Sequence, residues 1–182
     1  SYTDLYFNYS IRQDLRDKKF RTEDGFVTTF SQELPVVSDN SELANSFDIT
    51  KYKKLSTRSD MVAKVSFYGK TITGLSDDVR ISKRLYIPSK KLRGFESGKI
   101  GPKDSGDFIG GNYTAVLNAS TTLPEFGANL ETIDFQIFFD AANVWGVDYD
   151  TSLDNSHLRS SVGLSVDWFT IVGPLNFSVA QP

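Results

Sequence analysis

Few residues in this chain are of a type that does covalent or metal chemistry, and most of them narrow the function by exclusion. His157 is the only histidine in 182 residues and cysteine is absent. Neither a histidine-based triad nor a multi-histidine or thiolate metal site can therefore be built from this chain. His157 sits in a polar hairpin and reads as a surface residue. Asp148, Asp150 and Asp154 have a spacing close to that of a calcium loop. The glycine such a loop needs is missing, however, and Arg159 stands where the bidentate glutamate belongs, so a solvated turn is the better reading. Asn8, Asn112, Asn118 and Asn176 open glycosylation-type tripeptides, but inside strand-like segments, and read as chance matches. No nucleophile with a base, phosphate-cradling glycine loop or acid/base carboxylate pair is present, and no cofactor is implied. What remains is a basic run, Lys83, Arg84, Lys90, Lys91 and Arg93. It reads either as a solvated loop or as charge balance against Asp134, Asp140 and Asp167.

That run leads into Leu92-Arg93-Gly94-Phe95, followed at once by Gly98-Lys99-Ile100-Gly101-Pro102. Both lie in a stretch without strand alternation, from about Thr71 to Ile109. A connection of this length is uncommon unless it is functional or disordered. Leu85, Tyr86, Ile87, Leu92, Phe95 and Ile100 require burial, which argues against disorder. The loop is expected to fold onto, or into, whatever the strands enclose.

Those strands alternate apolar and polar residues with period two. Thr3, Leu5, Phe7, Tyr9 and Ile11 share a face in the first, with Asp4, Asn8 and Ser10 opposite. Phe26 to Leu34, ended by Pro35, forms a second. Asp39-Asn40-Ser41 marks a turn into a third with Leu43, Phe47 and Ile49, and a fourth spans about Asp60 to Tyr68. After the loop, Tyr113, Ala115, Leu117 and Ala119 oppose Asn112, Thr114, Asn118 and Ser120. Ile133, Phe135, Ile137 and Phe139 oppose Asp134, Gln136, Phe138 and Asp140. Val162, Leu164, Val166 and Trp168 form the next face, and Gly173-Pro174 turns into Leu175, Phe177 and Val179. The fold class is all-β, an antiparallel meander of about eight strands of roughly nine residues each.

A soluble sandwich and a membrane barrel both bury the apolar face of such strands, so alternation alone does not separate them. Two details favour the membrane. The apolar faces continue to the strand ends, and Trp145, Trp168 and Tyr113 lie near those ends, where interfacial girdles form. In composition the chain carries a heavy aromatic load of 14 Phe, 8 Tyr and 2 Trp. A net charge of -3 gives no reason to expect nucleic acid. No apolar run approaches the roughly 20 residues of a membrane helix. Ser1 opens no signal-peptide pattern, and Tyr2 already reads as mid-strand, as at the boundary of a longer chain.

Six segments together resemble the Omp85 superfamily over about residues 80–182. They are Arg84-Leu85-Tyr86; the Leu92–Phe95 and Gly98–Pro102 segments; Gly110-Gly111-Asn112; Phe138-Phe139-Asp140-Ala141-Ala142-Asn143-Val144-Trp145; and Gly173 through Pro182. The resemblance implies part of a sixteen-stranded transmembrane barrel in the bacterial outer membrane, with a long loop folded back into the lumen. It implies a clamp in which the tip, Arg93, Gly94 and Phe95, docks on a wall motif, Phe138 and Asp140, with Gly101 and Pro102 supporting the loop. Independently, Phe138 and Asp140 fall on the polar-face register, and an arginine fork suits a carboxylate. The sequence departs from the family in carrying Ala142 where the wall has glycine, and Pro88-Ser89 where the loop has Gly-Gly.

On this resemblance residues 1–182 are the carboxy-terminal part of such a barrel, with 71–109 as the inward loop. The first barrel half, the amino-terminal POTRA domains and the last strand are expected to lie outside it. The implied function is non-enzymatic insertion of outer-membrane proteins. Its partners would be outer-membrane lipids, nascent outer-membrane proteins and accessory lipoproteins, with no nucleic acid or small-molecule substrate. A secretion pore of the same superfamily and a soluble β-sandwich binding module are the alternatives.

Overall fold

Period-two alternation becomes a single meander in the computed structural model, which describes residues 4–38, 41–56, 60–124, 132–154 and 157–182. Thr3 and the Asp39–Asn40 turn lie outside the described residues. The strands are β1 (Leu5–Asp14), β2 (Asp24–Val37), β3 (Glu42–Lys54), β4 (Val62–Gly74), β5 (Lys103–Asp104), β6 (Asp107–Phe108), β7 (Tyr113–Thr122), β8 (Ile133–Trp145), β9 (Arg159–Thr170) and β10 (Gly173–Gln181). Eight of them form one sheet in the order β1-β2-β3-β4-β7-β8-β9-β10, every neighbour antiparallel. The small β5-β6 hairpin stands apart. Among the described residues the only helical turns are three-residue 3-10 segments.

The eight strands of the main sheet are longer than expected, 9 to 14 residues, and two limits move. Pro35 does not end β2: it pairs opposite Tyr6, where the register shifts between Leu5 and Tyr6. An irregularity of that kind absorbs the missing proline N–H. β4 continues past Thr71 to Gly74, because Thr71 and Thr73 still pair with Asn45 and Leu43 of β3. The long connection therefore runs from Leu75 to Asn112. Its β5-β6 turn places Ser105 (φ 51°) and Gly106 (φ 97°) in the left-handed region, as a tight two-residue hairpin needs.

The two faces of the sheet differ sharply. Leu5, Phe7, Ile11, Phe67, Leu117, Phe139, Leu164 and Phe177 stand on the outer face and are exposed. Tyr113 and Trp145 stack there at 5.8 Å, at the end that carries the long connection, and Trp168 lies towards the other. The inner face is covered by the Leu75–Asn112 connection, and the core sits in that interface. Ile87, Leu92 and Ile100 of the connection pack with Val116, Ala142 and Val144 of the wall, flanked by Tyr68 and Phe95. Val79 and Leu85 pack with Ala44 and Ile72.

At the opposite end the β1–β2 connection, residues 15–23, folds inward. Arg21, itself left-handed at φ 50°, donates to Asp134 Oδ1 of β8 at 2.9 Å and lies 4.8 Å from the Phe169 ring of β9. Lys18 and Lys54 both hold Glu23. This strap and the inner wall around Tyr52, Lys64, Gln136 and Asp167 bound a cavity of about 460 Å³.

Candidate functional site

Two three-residue turns and several buried apolar side chains deliver the loop tip to the wall. Pro88 fixes the start of the second turn, whose Lys91 N–H donates to Pro88 O. Pro88-Ser89 thus supplies a rigid turn in place of the family's glycines. Leu92 is then driven into the core, which sets Arg93 directly against β8.

Asp140 is wholly buried, and its carboxylate receives four donors. Arg93 Nε and Nη2 reach its two oxygens at 2.7 and 2.8 Å, the Arg93 backbone N–H at 3.2 Å, and Asn118 Nδ2 of β7 at 2.8 Å. Four donors match the roughly four lone-pair positions of an ionised carboxylate. The guanidinium also lies 3.3 Å from the centre of the Phe138 ring, and Phe138 is 1% exposed. The Arg93 carbonyl accepts from Ser161 of β9 at 2.7 Å. This is a bidentate, ring-stacked arginine on a desolvated carboxylate, a geometry that lysine cannot reproduce.

Gly94 (φ 85°) is required by the turn and by proximity, since a Cβ there would lie 2.9 Å from Ala180 Cβ of β10. Phe95 packs at the margin of the core. Gly101 (φ 112°) approaches Val144 so closely that a Cβ would meet it at 2.9 Å, and Pro102 beside it is fully buried. Ala142 fills the wall position with a methyl packed in the core.

Other contacts are invisible in the sequence because they join residues far apart in the chain. Lys91 Nζ pairs with Asp48 of β3 at 2.6 Å and lies 4.4 Å from the Tyr68 ring, while Asn118 Nδ2 also donates to Lys91 O. Arg84 pairs with Asp148 at 2.6 Å under the Tyr149 ring. Arg80 holds buried Glu42 and also Asp4, and Tyr6 OH donates to Glu42 at 2.7 Å. Gly163 of β9 makes room for the Phe138 ring, since a Cβ there would lie 2.6 Å from its Cζ. The one available signal was parity, which places Asp48 on the inner register of β3.

The basic run is therefore balanced differently from the sequence expectation. Asp140 takes Arg93, but Asp134 takes Arg21 from the strap, and Asp167 accepts from Gln136 and Asn176. Burial pushes the Asp148 carboxyl up, but the Val79 N–H, the Asn112 amide and the Arg84 charge outweigh it and hold it below the usual carboxylate range. Asp150 and Asp154 serve the hairpin backbone, accepting from Ser152 and Gly146 N–H. Among the described residues no cluster of three or more His, Cys, Asp or Glu could hold a metal ion.

Comparison with known proteins follows the same lines. The family model for the Omp85 superfamily domain matches residues 1–182. The outer membrane protein assembly factor BamA of Neisseria meningitidis is 34% identical over 119 residues, covering 50% of this chain and 15% of the relative. BamA of Nitratidesulfovibrio vulgaris is 34% identical over 58% of this chain and 13% of its own length. BamA of Neorickettsia risticii is 24% identical over 96% of this chain and 24% of its length. The chain thus spans a quarter or less of these relatives. The crystal structure of BamA from Haemophilus ducreyi lacking POTRA domains 1-3 superposes on all of this chain and 39% of that one, with TM-score 0.86 at 22% identity; it shares the fold. With the whole chain matched, these 182 residues belong to the Omp85 superfamily.

Proposed function

We propose that this chain is the loop-bearing wall of an outer-membrane insertase, a non-enzymatic barrel that helps nascent outer-membrane proteins fold and enter the bilayer. As an Omp85 member it is an integral outer-membrane β-protein, and the relatives named above are assembly factors. The observation that carries the reading is the seating of the loop tip: Arg93 on buried Asp140 and Phe138, with Gly94 and Phe95 completing the tip. In this reading these residues form a clamp, Gly101 and Pro102 brace the loop, and the clamp maintains the shape of the wall. Insertion itself is physical: a strained bilayer and an exposed strand edge on which a client strand can be templated. Accessory assembly lipoproteins and lipids complete the partner set. An inner face filled by its own loop weighs against an open secretion pore.

The test is a chimera in which residues 1–182 replace the matching segment of meningococcal BamA, scored by folded outer-membrane protein in the membrane. The chimera is expected to assemble clients, and Arg93→Ala to reduce assembly while the chimera still reaches the membrane. Normal assembly with unchanged heat stability in Arg93→Ala would overturn the reading. So would a chimera that exports polypeptide but inserts none.

A further inference from the structure

The loop tip touches more of the wall than a single clamp requires. Lys91 and Arg93 are two residues apart and reach carboxylates on different strands, Asp48 of β3 and Asp140 of β8. In the sheet these strands are separated by β4 and β7, about 14 Å at the usual strand spacing. Both intervening strands are engaged as well: Tyr68 of β4 lies under the Lys91 ammonium, and Asn118 of β7 donates both to Lys91 O and to Asp140. Beyond β8 the tip continues to Ser161 of β9 and to Ala180 of β10, which Gly94 abuts.

We propose that Lys91 is a second positioning residue, and that its pair with Asp48 and the Arg93–Asp140 pair act together as one tie that fixes the curvature of the wall from β3 to β8. A sheet has no intrinsic reason to hold one curvature, and barrel geometry requires tilt and curl to be set together. A short rigid segment fastened at both ends of a four-strand span sets the chord of that span. The competing view is that Lys91–Asp48 is an independent, partly exposed ion pair, a kind that often contributes nothing measurable. The two views differ in what happens when either end is released. A tie fails as a whole; independent pairs fail separately.

The proposal rests on the reading that the loop holds the wall's shape, but its test needs no assay of assembly. These 182 residues contain no cysteine, so spin labels can be placed at Ile49→Cys on β3 and Phe139→Cys on β8, both on the outer face. Distances are read in the membrane-inserted protein. Lys91→Ala alone, Asp48→Asn alone and Arg93→Ala alone should each lengthen and broaden the distribution. Lys91→Ala combined with Arg93→Ala should go no further than the larger single change. Lys91→Arg, and the swap Lys91→Asp with Asp48→Lys, should keep the parental distance, which loss of generic stability would not predict. If Arg93→Ala does not fold, Arg93→Lys releases that end more gently and is compared in the same way. An unchanged distance in Lys91→Ala and Asp48→Asn, or shifts that simply add, would overturn the proposal even if the chimera assembles clients normally.

Discussion

Asp140 receives two donors from the Arg93 side chain, one from the Arg93 backbone and one from Asn118, and this predicts an order among substitutions. Arg93→Lys keeps a charge but loses the fork and the stack on Phe138, a loss of about 1–3 kcal/mol. Arg93→Ala leaves a fully buried carboxylate without its counter-charge, about 3–5 kcal/mol. The temperature at which the folded form disappears on a gel in detergent should fall for Lys and further for Ala. Glu23 behaves differently with pH. Lys18 and Lys54 hold its carboxyl down to about 2, against an ordinary value of 4.5. A depressed carboxylate contributes above its unfolded value and is lost as pH falls through the folded one. The strap's tie is therefore expected to survive mild acid and to release only near pH 2. A carboxyl titration of Glu23 by NMR with its midpoint near 4.5 would contradict the paired geometry.

At the scale of elements, β9 is adapted to its neighbour by a missing side chain. A Cβ at Gly163 would meet Val179 O at 2.1 Å and Phe138 Cζ at 2.6 Å, the first of them backbone that cannot yield. Gly163→Val should displace Phe138 from beneath Arg93 and loosen β10, with a cost of overpacking of about 1–3 kcal/mol or more; the heat stability of the folded form checks it. This dependence shows where legibility ends. The long strands are readable because period-two alternation is a local signal, and the same parity puts Phe138 and Asp140 on one face of β8. The end of β2 is not, because Pro35 is tolerated only through an irregularity set by β1. Nor is the β5-β6 hairpin, which has no alternation to reveal it. Gly163, Lys91–Asp48 and Arg80–Glu42 depend on register between elements far apart in the chain, and a single sequence carries no record of that register.

For the molecule as a whole, the two aromatic levels of the outer face measure its setting. Ile133 pairs with Trp168, and Trp145 lies at the other end of β8. Twelve steps of about 3.3 Å give roughly 40 Å along the strand, or about 28–33 Å across the bilayer at the usual tilt of 35–45°. That is the thickness of a hydrocarbon core. Within this span the loop occupies the inner face from one end and the strap crosses from the other, fastened by Arg21 to Asp134 and Phe169. The strap then bears on the permeability of the cell envelope. A wide barrel is a breach in an outer membrane unless its bore is stoppered, and here the strap is held to the wall by Arg21 on Asp134 and by Lys54 on Glu23, beside a 460 Å³ hollow. Arg21→Ala should leave assembly intact but make cells more sensitive to bulky antibiotics that the envelope normally excludes, and unchanged sensitivity would mean that the seal lies elsewhere. If the chain serves an insertase as proposed, the wall must open to clients without opening the cell to solutes, and an inner face covered from one end by the loop and from the other by the strap would let the two kinds of traffic be governed separately.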